Sequence, residues 1–439
     1  MTIYFLGKTQ ARQKGMKLNM KYYNRTIERV LENMIDAFPV IMITGPRQVG
    51  KTTLLYHLVE QKNNKINFVS LDDMKLRIQA NEDPELFLRT YDSPLIIDEF
   101  QYAPNLLSYI KIIVDASKKE ALFNNEKNFS TMYYLTGSQI FQTMENVNES
   151  LAGRVGIIDL FAFSTREIFG LKEELFIPEI EKLKQKCLVE KLTTNKLFER
   201  ILKGSYPELY SNHNIDFENY YSNYVRTYIE RDIRKIINIK DEIKFMKFIS
   251  SLAARTSCEF NSSNIAEEVG IDNKTVDEWL SILKNTGIIY LLQPYMNNNV
   301  GRIIKRPKIY FMDTGLACYL TGYMDANVLE KSAYNGAIFE TYVISEIIKS
   351  FTNQGKDAKK YLYYYRDNNQ KEIDLLIIYN NKIYPIEIKK NTNPTKEAIK
   401  NFSVVNKFNY DVGNGIVICM SSLIYALDDN NYCLPIEYL

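Results

Sequence analysis

Apolar residues at Ile27, Val30, Leu31, Met34 and Ile35 follow the three-and-four spacing of one helix face, and after Pro39 the pattern changes to the unbroken run Val40-Ile41-Met42-Ile43. This predicts an amphipathic helix leading into a buried strand. The alternation continues with a helix from about Thr52, a strand near Asn67 to Leu71, the run Pro94 to Ile97, a helix near Leu106 to Ala116 and a strand Met132 to Thr136. Strands alternating with helices predict a parallel α/β sheet, because parallel neighbours need a crossover long enough to hold a helix.

From Leu171 to about Leu292 the pattern is helical, with charge-rich stretches at Glu173 to Lys196 and Tyr221 to Asn238. Within it, Asn264 to Val269 ends at Gly270, Thr275 to Lys284 is followed by Gly287, and Ile288 to Leu292 reads as a strand. Helix, turn, helix and strand in that order predict a winged helix. After about Tyr323 a third pattern begins: a helix Gly336 to Ser350, strands near Tyr361 to Arg366, Glu372 to Ile378 and Ile383 to Ile388, a helix near Lys396 to Lys407 and a strand Gly415 to Cys419. Asparagine clusters at 296 to 299 and 429 to 431 mark loops, and there is no internal repeat.

Composition sharpens this picture in three ways. A chain of 439 residues exceeds what one core usually supports, which predicts three domains, and 46% hydrophobic with 25% charged residues is globular composition. The formal charge of +2 gives no whole-molecule attraction to nucleic acid, so DNA contact would need local patches. The five cysteines, Cys187, Cys258, Cys318, Cys419 and Cys433, form no CxxC, and the histidines are His57 and His213, so neither zinc nor a disulfide framework is expected. No stretch approaches the roughly 18 apolar residues of a membrane span. A soluble, cytoplasmic protein is expected, with the basic, polar residues 7 to 19 in an arm outside the fold.

The run Gly45-Pro46-Arg47-Gln48-Val49-Gly50-Lys51-Thr52-Thr53 sits between a strand and a helix. Glycines there let backbone N–H groups curl around phosphate oxygens, and the helix N-terminus turns its positive end toward them. These nine residues are the expected cradle for ATP, with Lys51 reaching the β- and γ-phosphates and Thr52 placing its hydroxyl on Mg²⁺. Leu95-Ile96-Ile97-Asp98-Glu99 is an apolar strand ending in two carboxylates. Asp98 is assigned to the metal and Glu99 to activation of the attacking water. The strand Tyr133 to Thr136 runs into Gly137-Ser138-Gln139, where Ser138 is the expected γ-phosphate sensor, with Thr136 and Gln139 as rivals. Arg154 could stabilise phosphoryl-transfer charge in cis or from a neighbouring subunit, or serve as a structural arginine.

Near the C-terminus, Glu340 lies on a helix, Asp374 on one strand and Glu387 and Lys389 on another, where period two puts the last two on one face. Carboxylates on adjacent strands can hold Mg²⁺ on a phosphodiester, and an ammonium can orient the attacking water. Asp374 and Glu387 are the expected metal ligands, with Glu340 and Lys389 completing the site. Arg302, Lys305, Arg306, Lys308, Lys389, Lys390 and Lys396 could track a phosphate backbone, whereas the second helix of the winged-helix segment carries the mixed charges Lys274, Asp277, Glu278 and Lys284. Packing on a partner domain suits that helix as well.

In sequence, GPRQVGKTT, LIIDEFQ, YYLTGSQ and SLAGR resemble the AAA+-related, STAND-like P-loop ATPases of bacteria and archaea that carry a further C-terminal domain. The likeness runs over nearly the whole chain beyond Met20. Tyr206-Pro207-Glu208, Arg231-Asp232-Ile233 and Phe311-Met312-Asp313-Thr314-Gly315-Leu316 also resemble landmarks of that family, with helix pairing and turn formation as their plain reading. The C-terminal order of helix, three strands, helix and strand resembles the PD-(D/E)XK nucleases, with Ile373 in place of the motif's proline.

These resemblances imply an α/β chain organised as an arm over 1–19, an AAA+-like P-loop NTPase domain over 20–170, a helical lid with a winged helix over 171–323, and a restriction-endonuclease-like domain over 324–439. The expected activity is an ATP-driven switch controlling a Mg²⁺-dependent nuclease acting on DNA. The alternative is a regulatory or scaffolding ATPase that binds DNA or a protein without cutting. Either is compatible with a homo-oligomer.

Overall fold

The computed structural model describes residues 22–35, 37–62, 66–124, 131–137, 150–186, 192–212, 214–228, 241–296 and 306–439. The chain divides into two compact units, one of Met1–Ala162 with Asn285–Gly287, the other of Phe163–Lys284 with Ile288–Leu439.

The first unit is built on five parallel strands, β1 (Val40–Thr44), β2 (Asn67–Ser70), β3 (Leu95–Asp98), β4 (Tyr133–Thr136) and β5 (Val155–Asp159), in the order β2-β3-β4-β1-β5. Strand β1 is buried at all five positions, as a parallel strand covered on both faces must be. Its helices are α1 (Glu28–Ile35), α2 (Lys51–Lys62), α3 (Met74–Glu82), α4 (Pro84–Thr90) and α5 (Leu106–Phe123). Val40, Met42, Ile97 and Leu135 on one sheet face pack with Leu106, Leu107, Ile110 and Val114 of α5. Each such side chain contributes roughly 1.5–3 kcal/mol by leaving water.

The expected parallel α/β sheet is therefore present. Hydrophobic spacing did not reveal α3, α4 and β5, for local reasons. The two short helices rely on caps, Asp73 accepting from the Lys75 N–H and Asp83 from the Leu86 N–H, with Pro84 opening α4. Strand β5 alternates buried and open positions because it is an edge.

After two short helical turns, Thr165–Ile168 and Ile180–Lys184, the second unit carries helices α6 (Thr194–Lys203), α7 (Phe217–Tyr224), α8 (Glu242–Ala254), α9 (Ser262–Val269) and α10 (Asn273–Asn285). Asn261 caps α9, and Gly270 ends it in the left-handed conformation. Strands β6 (Ile289–Leu292) and β7 (Lys308–Phe311) then pair antiparallel, followed by α11 (Thr314–Leu320).

Asp313, at the start of α11, organises this region. Its carboxylate accepts from the Ser205 N–H at 2.7 Å, Ser205 Oγ at 2.8 Å, Tyr221 Oη at 2.7 Å and the Leu316 N–H at 2.8 Å. Gly204 approaches the same knot so closely that a Cβ there would meet Tyr221 Oη at 2.0 Å, and its φ of 75° already excludes most side chains. Two of the three family landmarks, around Tyr206 and Asp313, are thus a buried hydrogen-bonded joint. The third, 231–233, lies outside the described residues.

Beyond α11 lie the buried helix α12 (Asn335–Thr352) and a mixed seven-stranded sheet. The sheet strands are β8 (Leu362–Arg366), β9 (Glu372–Tyr379), β10 (Lys382–Lys389), β11 (Asp411–Val412), β12 (Gly415–Cys419), β13 (Tyr425–Ala426) and β14 (Asn431–Pro435). Strands β8, β9 and β10 form an antiparallel meander, and β12 and β14 extend it in parallel beyond β10. The helix expected over 396–407 is instead two 3-10 turns, Lys396–Ile399 and Phe402–Lys407. Asn401 between them donates its side-chain amide to the Glu372 carbonyl at 2.9 Å, which ties the chain to β9.

Candidate functional site

The P-loop follows the C-terminal end of β1, where parallel sheets open their binding crevice. Gly45 adopts φ 140°, and a Cβ there would lie 2.0 Å from the Leu160 carbonyl oxygen, so only glycine permits this turn. Gln48 and Gly50 also take positive φ, which winds the backbone into α2. Arg25 secures the loop from beneath, donating to the Val49 carbonyl at 3.0 Å and the Phe161 carbonyl at 2.8 Å. Pro46 and Val49 are buried, Arg47 half-buried, and Thr53 turns outward on α2.

Lys51 Nζ donates to the Gly45 carbonyl at 3.1 Å and the Pro46 carbonyl at 2.8 Å. Burial lowers its ammonium to about 8, only partly offset by Glu99 and Asp98. Thr52 Oγ1 donates to Asp98 Oδ1 at 3.0 Å, and the Thr136 hydroxyl donates to the same oxygen. A hydroxyl and a carboxylate side by side next to the P-loop form an oxygen donor set of the kind Mg²⁺ takes. Glu99 holds a left-handed φ of 53°, costing on the order of 1–3 kcal/mol, and accepts from the Gln101 side-chain amide. Burial raises its carboxyl above the usual range, against the pull of that hydrogen bond and of Lys51. Gln101, two residues on, was not singled out from the sequence.

Of the three roles open to Arg154, in cis, in trans or structural, the first is not kept by its position. It precedes β5 at the opposite end of the sheet, where the Val40 N–H donates to its carbonyl at 3.3 Å. Its guanidinium forks onto Asp115 of α5 at 2.5 and 2.8 Å. Strand β1 separates it from the P-loop, so it does not reach the phosphates of its own subunit. Ser138 and Gln139 lie outside the described residues, whereas their rival Thr136 is buried on Asp98.

In the second unit Glu340 of α12 and Asp374 of β9 meet one another, and they meet a cation the sequence reading had assigned elsewhere. Lys308 Nζ lies 2.5 Å from Glu372, 3.4 Å from Glu340 and 4.0 Å from Asp374. It is 4% exposed, not a surface contact for DNA. Burial opposes its charge, but Glu340, Asp374 and Glu372 outweigh burial and hold the ammonium above its ordinary value. Tyr310, two residues on and on the same strand face, donates to Glu340 Oε1 at 2.6 Å.

Asp374 Oδ2 accepts from the Ile388 N–H at 2.9 Å, and Glu387 pairs with Lys389 at 2.7 Å. Burial and the charge of Asp374 push the Glu340 carboxyl up to about 7 and that of Glu387 up to about 8. Among the described residues no three His, Cys, Asp or Glu side chains converge to hold a metal ion. A metal ion on Asp374 and Glu387 would share Asp374 with the Lys308 ammonium, 4.0 Å away, and with a backbone N–H, and Glu387 with Lys389. The signal was present in Pro307-Lys308-Ile309-Tyr310-Phe311, a lysine and a tyrosine on one face of an otherwise apolar strand.

The remaining basic stripe also dissolves in part. Lys390 is bonded to Glu330 at 2.9 Å, Arg306 is exposed, and Arg302 and Lys305 lie outside the described residues. No helix among the described residues is long and apolar enough to cross a membrane.

Residues 37–169 match the family described as AAA domain, 194–327 the Domain of unknown function DUF8612, and 335–439 the Domain of unknown function DUF4143. The chain is similar to the uncharacterized proteins Rv2008c of Mycobacterium tuberculosis and Mb2031c of Mycobacterium bovis. Each is 26% identical over 369 residues, covering 83% of this chain and 73% of the relative. Among solved structures it is similar to a Walker-type ATPase of Pyrococcus abyssi, at 14% identity and a TM-score of 0.42, over 68% of this chain and 96% of that one. The RuvB Holliday junction branch migration motor of Thermotoga maritima gives 13% and 0.30, over 60% and 88%. The P-loop and its parallel sheet thus lie within the stretch that matches an AAA domain.

Proposed function

We propose that this protein is an ATP-hydrolysing switch of the cytoplasm whose winged-helix and nuclease-like segments act as a binding output toward DNA or a protein partner. One observation carries the ATPase part: the Thr52 hydroxyl and the Asp98 carboxylate stand 3.0 Å apart below a P-loop whose lysine rests on two backbone carbonyls. Mg²⁺, when bound with ATP, supplies charge neutralisation on the phosphate oxygens. The chain's own groups do the rest. The P-loop N–H groups orient the phosphates, and Lys51 exchanges its two carbonyl partners for phosphate oxygens. Glu99 accepts the proton of the attacking water, and its raised affinity for protons suits that task. Arg154, turned away from its own P-loop, is left to serve a neighbouring subunit or the Asp115 pair alone.

Cleavage of DNA is the rival output, and the buried Lys308 among the acids favours binding over cutting. Purified protein is to be incubated with ATP and Mg²⁺ or Mn²⁺ on plasmid, linear and single-stranded DNA. Glu99→Gln is expected to retain ATP while turnover drops by about 10²–10³-fold. Turnover at the wild-type rate in that variant would remove Glu99 from its role. Nicking that disappears in Asp374→Ala would replace the binding output with the nuclease.

A further inference from the structure

Within the second unit, Lys308 reaches its three acids from a strand with no freedom to withdraw. Strand β7 is paired along its length, Leu292 opposite Lys308 and Ile289 opposite Phe311. Glu259 bridges to Lys308 on the other side, and the chain beyond ends in the four hydrogen bonds of Asp313. The Lys308 side chain is 5% exposed, so its ammonium is shielded from water while it faces Glu340, Glu372 and Asp374. Arg366 adds a second cation 3.8 Å from Glu372. A divalent ion would have to enter where this ammonium stands and compete for Asp374, one of whose oxygens is held by the Ile388 N–H.

We propose that Lys308 is the resident cation of this acid cluster and that it closes the Glu340–Glu372–Asp374 group to Mg²⁺ and Mn²⁺. The inference rests on the reading of that cluster as a nuclease-type site. Replacing the ammonium by an uncharged side chain of similar length leaves three carboxylates with an unmet demand for positive charge, and a divalent ion is the species that meets it.

The test uses the full chain without nucleotide and Mn²⁺ alone as the probe, reading bound Mn²⁺ by electron paramagnetic resonance and stability by thermal unfolding. Wild type and Asp374→Asn are expected to take up the same amount of Mn²⁺, and Mn²⁺ leaves the wild-type melting temperature unchanged. Lys308→Met gains one Mn²⁺ relative to Lys308→Met/Asp374→Asn, and Mn²⁺ raises its melting temperature by about 5 °C. If Lys308→Met folds only when Mn²⁺ is present, the proposal is supported as well. Lys308→Arg, which keeps the charge, gains none.

Uptake by the wild type that is lost in Asp374→Asn overturns the closed site and leaves the nuclease-type cluster standing. A folded Lys308→Met that takes up no Mn²⁺ overturns both. Should Lys308→Met fail to fold even with Mn²⁺, the comparison of wild type with Asp374→Asn decides alone.

Discussion

Lys51 and Lys308 are both buried lysines beside acids, and they stand in opposite electrostatic conditions. Lys51 is held by two neutral backbone carbonyls, and burial lowers its ammonium to about 8. Lys308 is held by three carboxylates, which more than offset its burial. A buried charge without a counter-charge is a demand for one, and a polyphosphate meets it. A buried charge already matched is part of the scaffold. By this criterion the P-loop is built to receive an anion, whereas the acid cluster of the second unit has its cation built in.

The contrast is tested most strongly by removing each charge. Lys308→Met leaves buried carboxylates unpaired and is expected to destabilise the second unit by about 3–5 kcal/mol, measured by urea unfolding. Lys51→Met removes a desolvated ammonium and is expected to change stability by about 1 kcal/mol or less while abolishing ATP binding. Equal losses of stability in the two variants would erase the distinction.

A smaller effect is expected in the pH dependence of stability. Glu340 and Glu387 titrate near 7 and 8 in the folded chain, above the ordinary glutamate value of about 4.5. The folded state therefore binds more protons between those limits, so this contribution is complete below about pH 4.5 and is lost as pH rises through 7 to 8. Melting temperatures of the wild type should fall across that window relative to Glu340→Gln. Parallel profiles would mean that Glu340 is ionised throughout.

The smallest signal belongs to Lys51. With its ammonium near 8, binding of a polyanion at pH 8 should draw in a fraction of a proton, because phosphate favours the charged form. Calorimetry in buffers of different ionisation enthalpy measures that uptake at pH 8, and at pH 6 it should vanish.

The two sites also differ in how far they could be read along the chain. The P-loop is contiguous: strand, glycine turn and helix lie within β1 to α2, and Asp98 closes β3, two strands further along the same alternation. Its geometry follows from local backbone chemistry, with Gly45 admitted because any side chain would strike the Leu160 carbonyl. The sequence left the role of Arg154 open because proximity to β4 says nothing about which end of a parallel sheet a residue occupies; the register of β5 against β1 sets that. Likewise the polar alternation of β9 and β10 disclosed Asp374, Glu387 and the Lys389 beside it, but not the Lys308 that faces Asp374.

Hydrophobic period, turn glycines and the phosphate-loop spacing were sufficient for the parallel sheet, the glycine turn from β1 into α2 and the acids on C-terminal strands, because each is a property of neighbours within a few residues. The meeting of Lys308 with Glu340, 32 positions away, and with Glu372 and Asp374 beyond it, arises when β7 packs beside α12 and β9. Whether a buried lysine is a vacancy for an anion or a counter-ion already matched depends on which groups folding brings within about 4 Å, since charge interactions in a dry interior are settled by distance and burial rather than by order along the chain.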